Sequence, residues 1–219
     1  MSSEKSGKRK PSARISRKRE RSRQEILAAA RAILREGGVE AVTLGSVAGS
    51  LGLTKQALYH YFPSKEALVR NLVVTLLDEE VGVLVDAVER EESDARVLDA
   101  LIRAFYRHYI GRLDAFRAVY CQSQLYPAPA AILDADVLRD EINPRTRGLF
   151  DMLETRLAKS SASKVERARK RRLAYTAWLA ALGLLTMLGV ADTTRDALVH
   201  TDEDLLDTLA GVFDSAAGS

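Results

Sequence analysis

The sequence has little of the chemistry on which most enzyme and metal sites depend. It contains one cysteine in 219 residues, Cys121, so an intrachain disulfide cannot form. No cysteine and histidine spacing matches a zinc site, and no nucleophile with a partner base or glycine-rich phosphate loop stands out. These absences predict a protein that is not an enzyme, with no catalytic residues, no metal and no cofactor.

Prolines and alternating hydrophobic runs are also scarce. Five prolines, and no strongly alternating segment, predict an all-α protein. Residues 1–23 lack the apolar core of a secretory signal, and they contain too few apolar residues for an amphipathic transit peptide. Together with the single cysteine, this predicts a cytoplasmic protein.

Positive charge is concentrated at the amino terminus. Residues 1–23 hold ten Lys or Arg and two Glu, a net charge of +8, which leaves −5 for the other residues because the whole chain carries +3. So polar a segment is not expected to fold alone, and residues 1–21 are predicted to be a disordered basic arm. Such an arm can follow DNA phosphates; a solubilising tail is the alternative.

Three helices are predicted over residues 22–66. The first runs from Ser22 to Glu36. The next two are short, with apolar residues at helical spacing on each side of Gly52, whose freedom to take positive φ suits a sharp corner. Thr43 and Thr54 are placed to cap these two helices through their hydroxyl oxygens.

Two glycines, Gly45 and Gly49, lie within the first helix of that pair. Each should cost about 0.5–1 kcal/mol relative to alanine in a helix. We therefore expect this helix to depend on packing, or to approach a neighbour unusually closely.

The motif TxxxVAxxxGLTxxxLYxYFxSKExL in this segment resembles the DNA-binding signature of the tetracycline-repressor (TetR) family of bacterial regulators. The resemblance covers residues 22 to about 70, and LYHYFPSKEAL is its most specific part. It implies a helix-turn-helix DNA-binding domain at residues 22–66 and a larger helical bundle at residues 67–219.

The resemblance also implies that the second helix of the pair enters the major groove of DNA. Base contacts are then expected from Lys55, Gln56 and His60, because glutamine can pair with adenine and lysine with guanine. Phosphate contacts, which set register without reading sequence, are expected from Thr43, Thr54, Tyr59 and Lys65.

In this family the helical body is usually a dimer with a small-molecule pocket in each bundle. Pockets combine aromatic area with a few polar groups, and ordinary core packing is the alternative for such residues. The ligand-binding candidates are Phe105, Tyr109, Phe116, Tyr120, Cys121, Gln124, Tyr126 and Trp178.

Two long helices are predicted in the body. The first, from Ser64 to about Glu92, spans roughly 40 Å and is expected to link the DNA-binding domain to the bundle. Residues 173–191 form a run of 19 residues without a charge, long enough for a membrane span. Polar and glycine residues dilute this run, and the resemblance places the penultimate helix in a dimer interface, for which the candidates are Leu184, Leu188, Leu205 and Leu209.

The sequence therefore predicts a TetR-family transcriptional regulator, expected to be a repressor that binds a palindromic operator as a homodimer and is released by a small hydrophobic effector. One alternative is a structural DNA-binding protein of the same fold that has no effector and acts through a protein partner. A second alternative is a protein anchored in the membrane by residues 173–191.

Overall fold

The computed structural model describes residues 13–121, 135–158, 162–194 and 200–218, which contain helices and no strand. They divide into two compact units, one ending at Leu72 and one beginning at Val73. The predicted domain boundary, after residue 66, lies six residues earlier.

The first unit contains helices α1 (Ala13–Ala41), α2 (Leu44–Ser50) and α3 (Lys55–Tyr59), and the first turns of α4 (Lys65–Arg90). Its core takes apolar side chains from each of these helices and from the residues that follow α3. Among the buried residues are Ile26, Leu34, Val47, Leu58, Phe62 and Leu68.

Helix α1 begins at Ala13, nine residues before the predicted start at Ser22. The disordered arm predicted for residues 1–21 is therefore wrong from residue 13 onwards, and residues 1–12 lie outside the described part of the chain. The physical reason is that adding residues to an existing helix costs far less than nucleating one. At the other end, Gly38 takes a φ of 68° and breaks the helix near its predicted stop.

The second unit contains the rest of α4 and six further α-helices within the described residues. The long, largely apolar helix Lys164–Thr194 packs against the helices Val97–Tyr109, Asn143–Leu157 and Asp202–Gly218. In chain order the six helices are α5 (Val97–Tyr109), α6 (Leu113–Phe116), α7 (Ala135–Val137), α8 (Asn143–Leu157), α9 (Lys164–Thr194) and α10 (Asp202–Gly218). One π-helical turn, Arg117–Cys121, extends α6, and another, Leu138–Ile142, joins α7 to α8.

Two glycines of the helix-turn-helix region stand in opposite backbone environments. Gly52 has a φ of 65°, a region that side-chain-bearing residues avoid, whereas Gly49 is helical and a Cβ added there would meet no atom within 4 Å. The close neighbour anticipated for α2 is therefore not found within the described chain. Burial of Leu44, Val47 and Ala48 anchors this helix instead.

We expect Gly49→Ala to raise the free energy of unfolding by about 0.5–1 kcal/mol, because alanine loses less backbone entropy in a helix. Gly52→Ala should lower it by about 1–2 kcal/mol, because the left-handed conformation crowds a Cβ. Urea denaturation of the two variants measures both changes. A destabilised Gly49→Ala would show that α2 needs glycine at this position.

Candidate nucleic-acid interface and cavity

The two short helices begin with the predicted side-chain caps. The Thr43 hydroxyl accepts from the Ser46 amide at 3.0 Å, and the Ser46 hydroxyl accepts from the Thr43 amide at 3.0 Å. At the start of α3, the Thr54 hydroxyl accepts from the Ala57 amide at 3.2 Å. The hydroxyls of Thr43 and Thr54 each satisfy an otherwise unpaired amide of a first helical turn, and the Ser46 hydroxyl donates to the Ala41 carbonyl at 2.7 Å.

Helix α3 presents a polar and aromatic face to solvent. Lys55, Gln56, Tyr59 and His60 are all exposed, and the Lys55 ammonium lies 5.8 Å from the centroid of the Tyr59 ring. On the opposite side Leu58 is fully buried. The predicted base-contacting and phosphate-contacting residues of this helix therefore share one accessible surface.

The remaining predicted phosphate contact, Lys65, has a partner within the protein. Its ammonium group pairs with the Glu40 carboxylate at 3.2 Å, and its side chain is only partly exposed. This ion pair ties the start of α4 to the end of α1 and offsets part of the lysine charge.

Two arginines that the sequence reasoning did not single out hold the end of α3 in place. Arg19 donates to the His60 carbonyl at 3.2 Å, and Arg23 donates to the Tyr61 carbonyl at 3.1 Å. The Arg23 guanidinium also lies 4.6 Å from the centroid of the buried Phe62 ring. Cations near the end of a helix satisfy its last carbonyls and oppose its dipole. The four-residue spacing of the two arginines, which puts them on one face of α1, is the signal that could have indicated this role.

The amino-terminal turns of α1 also carry a stripe of positive charge. Arg14, Arg17, Lys18 and Arg21 are exposed, and their spacing of three and four residues places them on one face of the helix. Of these, Arg21 pairs with Glu25 at 3.1 Å.

The second unit contains a cavity of about 410 Å³. Most of its wall is aliphatic or aromatic. The lining residues are Leu77, Glu80, Val81, Leu84, Val119, Tyr120, Leu138, Ile142, Asn143, Thr146, Leu149, Phe150, Tyr175 and Trp178. Asn143 and Thr146 supply polar groups on α8, and Glu80 supplies a carboxyl group on α4.

Glu80 is 2% exposed and receives hydrogen bonds from two tyrosines. The Tyr109 hydroxyl donates to Oε2 at 2.6 Å, and the Tyr120 hydroxyl lies 2.7 Å from each carboxyl oxygen. Burial raises the pKa of Glu80, and these hydrogen bonds, together with one from Trp178, oppose that rise. Burial and the nearby carboxyl group raise the pKa of both tyrosines.

Glu80 was missed by the sequence reasoning. Its position in the sequence could have indicated that it is buried. Glu80 lies four residues after Leu76 and four before Leu84, both of which are buried, so its carboxyl group interrupts an apolar stripe of α4.

The predicted ligand-binding residues do not share one environment. Tyr120 and Trp178 line the cavity, whereas Phe105, Tyr109 and Phe116 are buried behind it in an aromatic core. The rings of this core meet edge to face, with centroids 5.3 Å apart for Phe105 and Tyr109 and 5.5 Å apart for Tyr109 and Phe116.

Cys121 is half-buried outside the cavity wall, and burial raises the pKa of its thiol. Two further candidates, Gln124 and Tyr126, lie outside the described residues. In the part of the chain that is described, no group of three or more His, Cys, Asp or Glu side chains is arranged to hold a metal ion.

Helix α9 is apolar on two opposite faces. One face is buried within the unit and includes Ala177, Ala181, Leu185 and Leu188. Leu188, which was predicted to lie in a dimer interface, is 9% exposed and packs within the unit, so it offers little surface to a second chain. The other predicted interface residues, Leu184, Leu205 and Leu209, are half-buried.

The opposite face of α9 is exposed. Leu179, Met187 and Val190 are 45%, 58% and 49% exposed, and Val212 of α10 is 60% exposed. By length and composition the segment Lys164–Ala191 could cross a membrane, a test that the core helix of a water-soluble protein also passes.

Comparison with known proteins identifies the first unit. Residues 26–72 match the family model described as bacterial regulatory proteins, tetR family. The HTH-type transcriptional repressor KstR2 of Rhodococcus jostii (strain RHA1) is 31% identical over 84 residues, which cover 38% of this chain and only 41% of that protein. The nucleoid occlusion factor SlmA of Idiomarina loihiensis is 25% identical over 193 residues, covering 85% of this chain and 87% of that protein.

The fold extends the likeness beyond the matched segment. A crystal structure of a TetR/AcrR-family transcriptional regulator from Thermobifida fusca matches with a TM-score of 0.62 at 20% identity, covering 89% of this chain and 97% of that chain. Residues 26–72 and the helical fold together lead to one conclusion. Residues 26–72 carry the helix-turn-helix segment of the tetR family of bacterial regulatory proteins, and the chain has the helical fold of a TetR/AcrR-family regulator.

Proposed function

We propose that the protein is a cytoplasmic transcriptional repressor that binds a palindromic operator as a homodimer and is released by a small hydrophobic effector. The observation that carries this proposal is the cavity of about 410 Å³ in the helical unit of a chain whose other unit is a DNA-binding domain. Its volume and mostly apolar lining are typical of sites for small molecules.

The exposed face of α3 supports the assignment of roles in DNA binding. We assign Lys55, Gln56 and His60 to base edges, where amide and ammonium groups discriminate between base pairs. We assign the exposed or half-buried hydroxyls of Thr43, Thr54 and Tyr59 to phosphates. We also assign the Lys65 ammonium, which pairs with Glu40 in the DNA-free chain, to a phosphate.

The basic stripe on α1, formed by Arg14, Arg17, Lys18 and Arg21, extends this surface. We propose that it contacts phosphates beside the major groove. Such contacts add affinity without sequence preference and weaken with salt, because binding releases counterions from DNA.

Gln56→Ala should relax the base preference at one position in each half-site and weaken the free energy of operator binding by about 1–3 kcal/mol. Arg17→Ala should weaken binding to all sequences alike. It should also lower the slope of log affinity against log salt concentration by about one for each phosphate that the arginine no longer neutralises. Operator selection from random DNA, followed by fluorescence anisotropy at several salt concentrations, measures both effects.

Arg90→Ala, which removes an equal charge from an exposed position of the second unit, is the matched control and should change neither quantity. Our assignment of Gln56 to base readout is wrong if Gln56→Ala lowers the affinity for every sequence equally.

The exposed apolar face of α9, with Val212 of α10, supports the homodimer. A two-fold dimer presents the same surface from each subunit, and two such helix pairs can form a four-helix interface. A two-fold protein in turn reads an inverted repeat, because its half-sites carry the same symmetry.

Leu179→Glu should raise the dissociation constant of the dimer at least about 100-fold, because a charge buried in an apolar interface has no partner. Loss of the dimer should abolish operator binding in the same concentration range. Val83→Glu, which places the same charge on an exposed apolar position of α4, should do neither. Sedimentation velocity measures association, and a Leu179→Glu protein that remains dimeric would exclude this face from the interface.

Release by an effector requires that the ligand prefer the protein state with lower DNA affinity. A 100-fold loss of operator affinity corresponds to about 2.7 kcal/mol of coupling free energy. Linkage is reciprocal, so operator DNA must weaken ligand binding by the same factor. Tight binding without a preference between the two states would have no effect on DNA.

Hydrophobic compounds that raise the melting temperature should lose affinity when operator DNA is added. Thr146→Trp fills the cavity and should abolish this response while leaving ligand-free DNA binding intact, whereas Thr155→Trp, an exposed site on the same helix, should keep it. Titration calorimetry with and without operator checks the prediction. Ligands whose affinity ignores operator DNA contradict it.

A DNA-binding protein that has no effector and acts through a protein partner is the second candidate. The relative that covers 85% of this chain, SlmA, is named as a nucleoid occlusion factor rather than a repressor. The cavity favours the first candidate. If no bound compound changes operator affinity and Thr146→Trp has no consequence, the second candidate is favoured instead.

A further inference from the structure

The proposed effector has no assigned chemistry, and the wall of the cavity provides one. Among the described residues that line it, Glu80 is the only one with an ionisable carboxyl or amino group, and none is a lysine or arginine. The described lining therefore offers nothing that attracts an anion and one group that attracts a cation.

Glu80 keeps hydrogen-bonding capacity after its internal contacts are counted. A carboxylate can accept about four hydrogen bonds, and the hydroxyls of Tyr109 and Tyr120 with the indole N–H of Trp178 occupy three of these. Within the described residues no lysine or arginine forms an ion pair with Glu80, although the group is 2% exposed. A carboxylate buried in this way is costly unless a positive charge is placed beside it.

An aromatic wall completes the surroundings of this carboxyl group. Tyr120, Phe150, Tyr175 and Trp178 line the same cavity. Ring centroids are 5.4 Å apart for Tyr175 and Trp178 and 5.9 Å apart for Tyr120 and Trp178. The faces of such rings attract cations, and tryptophan does so most strongly.

We propose that the effector is a lipophilic organic cation, an amine or quaternary ammonium compound, whose charge is held between the Glu80 carboxylate and the aromatic wall. This inference rests on the proposed effector-binding function and specifies the ligand class. The alkyl or aryl part of the ligand packs on the aliphatic lining, which includes Leu77, Leu84 and Leu149.

Burial, which disfavours the charged carboxyl group in the empty protein, raises the pKa of Glu80. A bound cation reverses this preference, because an opposite charge favours the ionised form. Binding of a permanent cation should therefore lower the pKa of Glu80 and release protons at a pH between the pKa values of the empty and the occupied protein, whereas binding of a neutral ligand should not.

Three probes with the same eight-carbon chain test the charge preference: octyltrimethylammonium, octanol and octanoate. Calorimetric titration into the full-length protein should give an affinity for the cation at least tenfold above that for octanol, and the weakest binding for octanoate. Octanol or octanoate binding as tightly as the cation overturns the proposal, and so does the absence of binding by all three probes.

Glu80→Gln keeps the shape of the side chain and removes its charge. It should lower the affinity for octyltrimethylammonium at least tenfold, leave that for octanol within twofold, and abolish the proton release. Glu79→Gln is the matched control, since this neighbouring carboxylate pairs with Arg112 at 3.3 Å outside the cavity lining. Circular dichroism and thermal melting of both variants establish that they fold.

The outcomes separate this inference from the proposed function. Cation binding that depends on Glu80 but leaves operator affinity unchanged supports the ligand class and counts against release by an effector. Octanol that binds and releases operator DNA, with no preference for the cation and no effect of Glu80→Gln, overturns the ligand class and supports release.

Discussion

The DNA-binding surface depends on holding a five-residue helix in one orientation. A helix as short as α3 is not stable by itself in water, so its position must come from contacts outside it. Leu58 and Phe62 are almost fully buried, and burial of each contributes roughly 1.5–3 kcal/mol. Arg23 adds a third anchor, because it covers the Phe62 ring and binds the carbonyl that follows the helix. Side chains that face inward therefore determine where the outward ones lie.

A second constraint is the carboxyl group of Glu80 inside an aromatic cluster. Its hydrogen bonds with Tyr109 and Tyr120 join α4 to α5 and to the turn after α6. These bonds matter more in an apolar setting than at the surface, because an unpaired buried polar group loses its solvation without compensation. Tyr109 supports the aromatic core and Tyr120 lines the cavity, so one carboxyl group connects the structural part of the unit with its candidate site.

Helix α9 illustrates how the same composition can fit different environments. Its length and apolar character satisfy the requirement for a membrane span. In the folded chain one face packs against α5, α8 and α10, with Ala177 and Leu185 fully buried. An apolar helix buried on one side still leaves its other side to be covered, and a second copy of the chain is the partner that we propose.

Local features of the first unit were predictable from the sequence alone. The caps at Thr43 and Thr54 and the positive φ at Gly52 depend on hydrogen bonds and steric limits within a few residues. Periodicity likewise predicted the long helices and the all-α class, because spacing of apolar residues reports a buried face. The motif around LYHYFPSKEAL pointed to the family, which the match to residues 26–72 confirmed.

Tertiary structure decided what depends on residues distant in sequence. The anchoring of the end of α3 belongs here, since Arg19 and Arg23 bind carbonyls about 40 positions away. So does the division of the predicted aromatic residues into a core around Phe105 and a cavity wall around Trp178. The sequence by itself determined the two capped short helices, the long apolar helices and the likeness of residues 26–72 to a family model, because each depends on short-range spacing. Only the packing of those helices decided that Leu188 is internal and that Glu80 faces a cavity, because a helical pattern identifies a buried face without identifying what covers it.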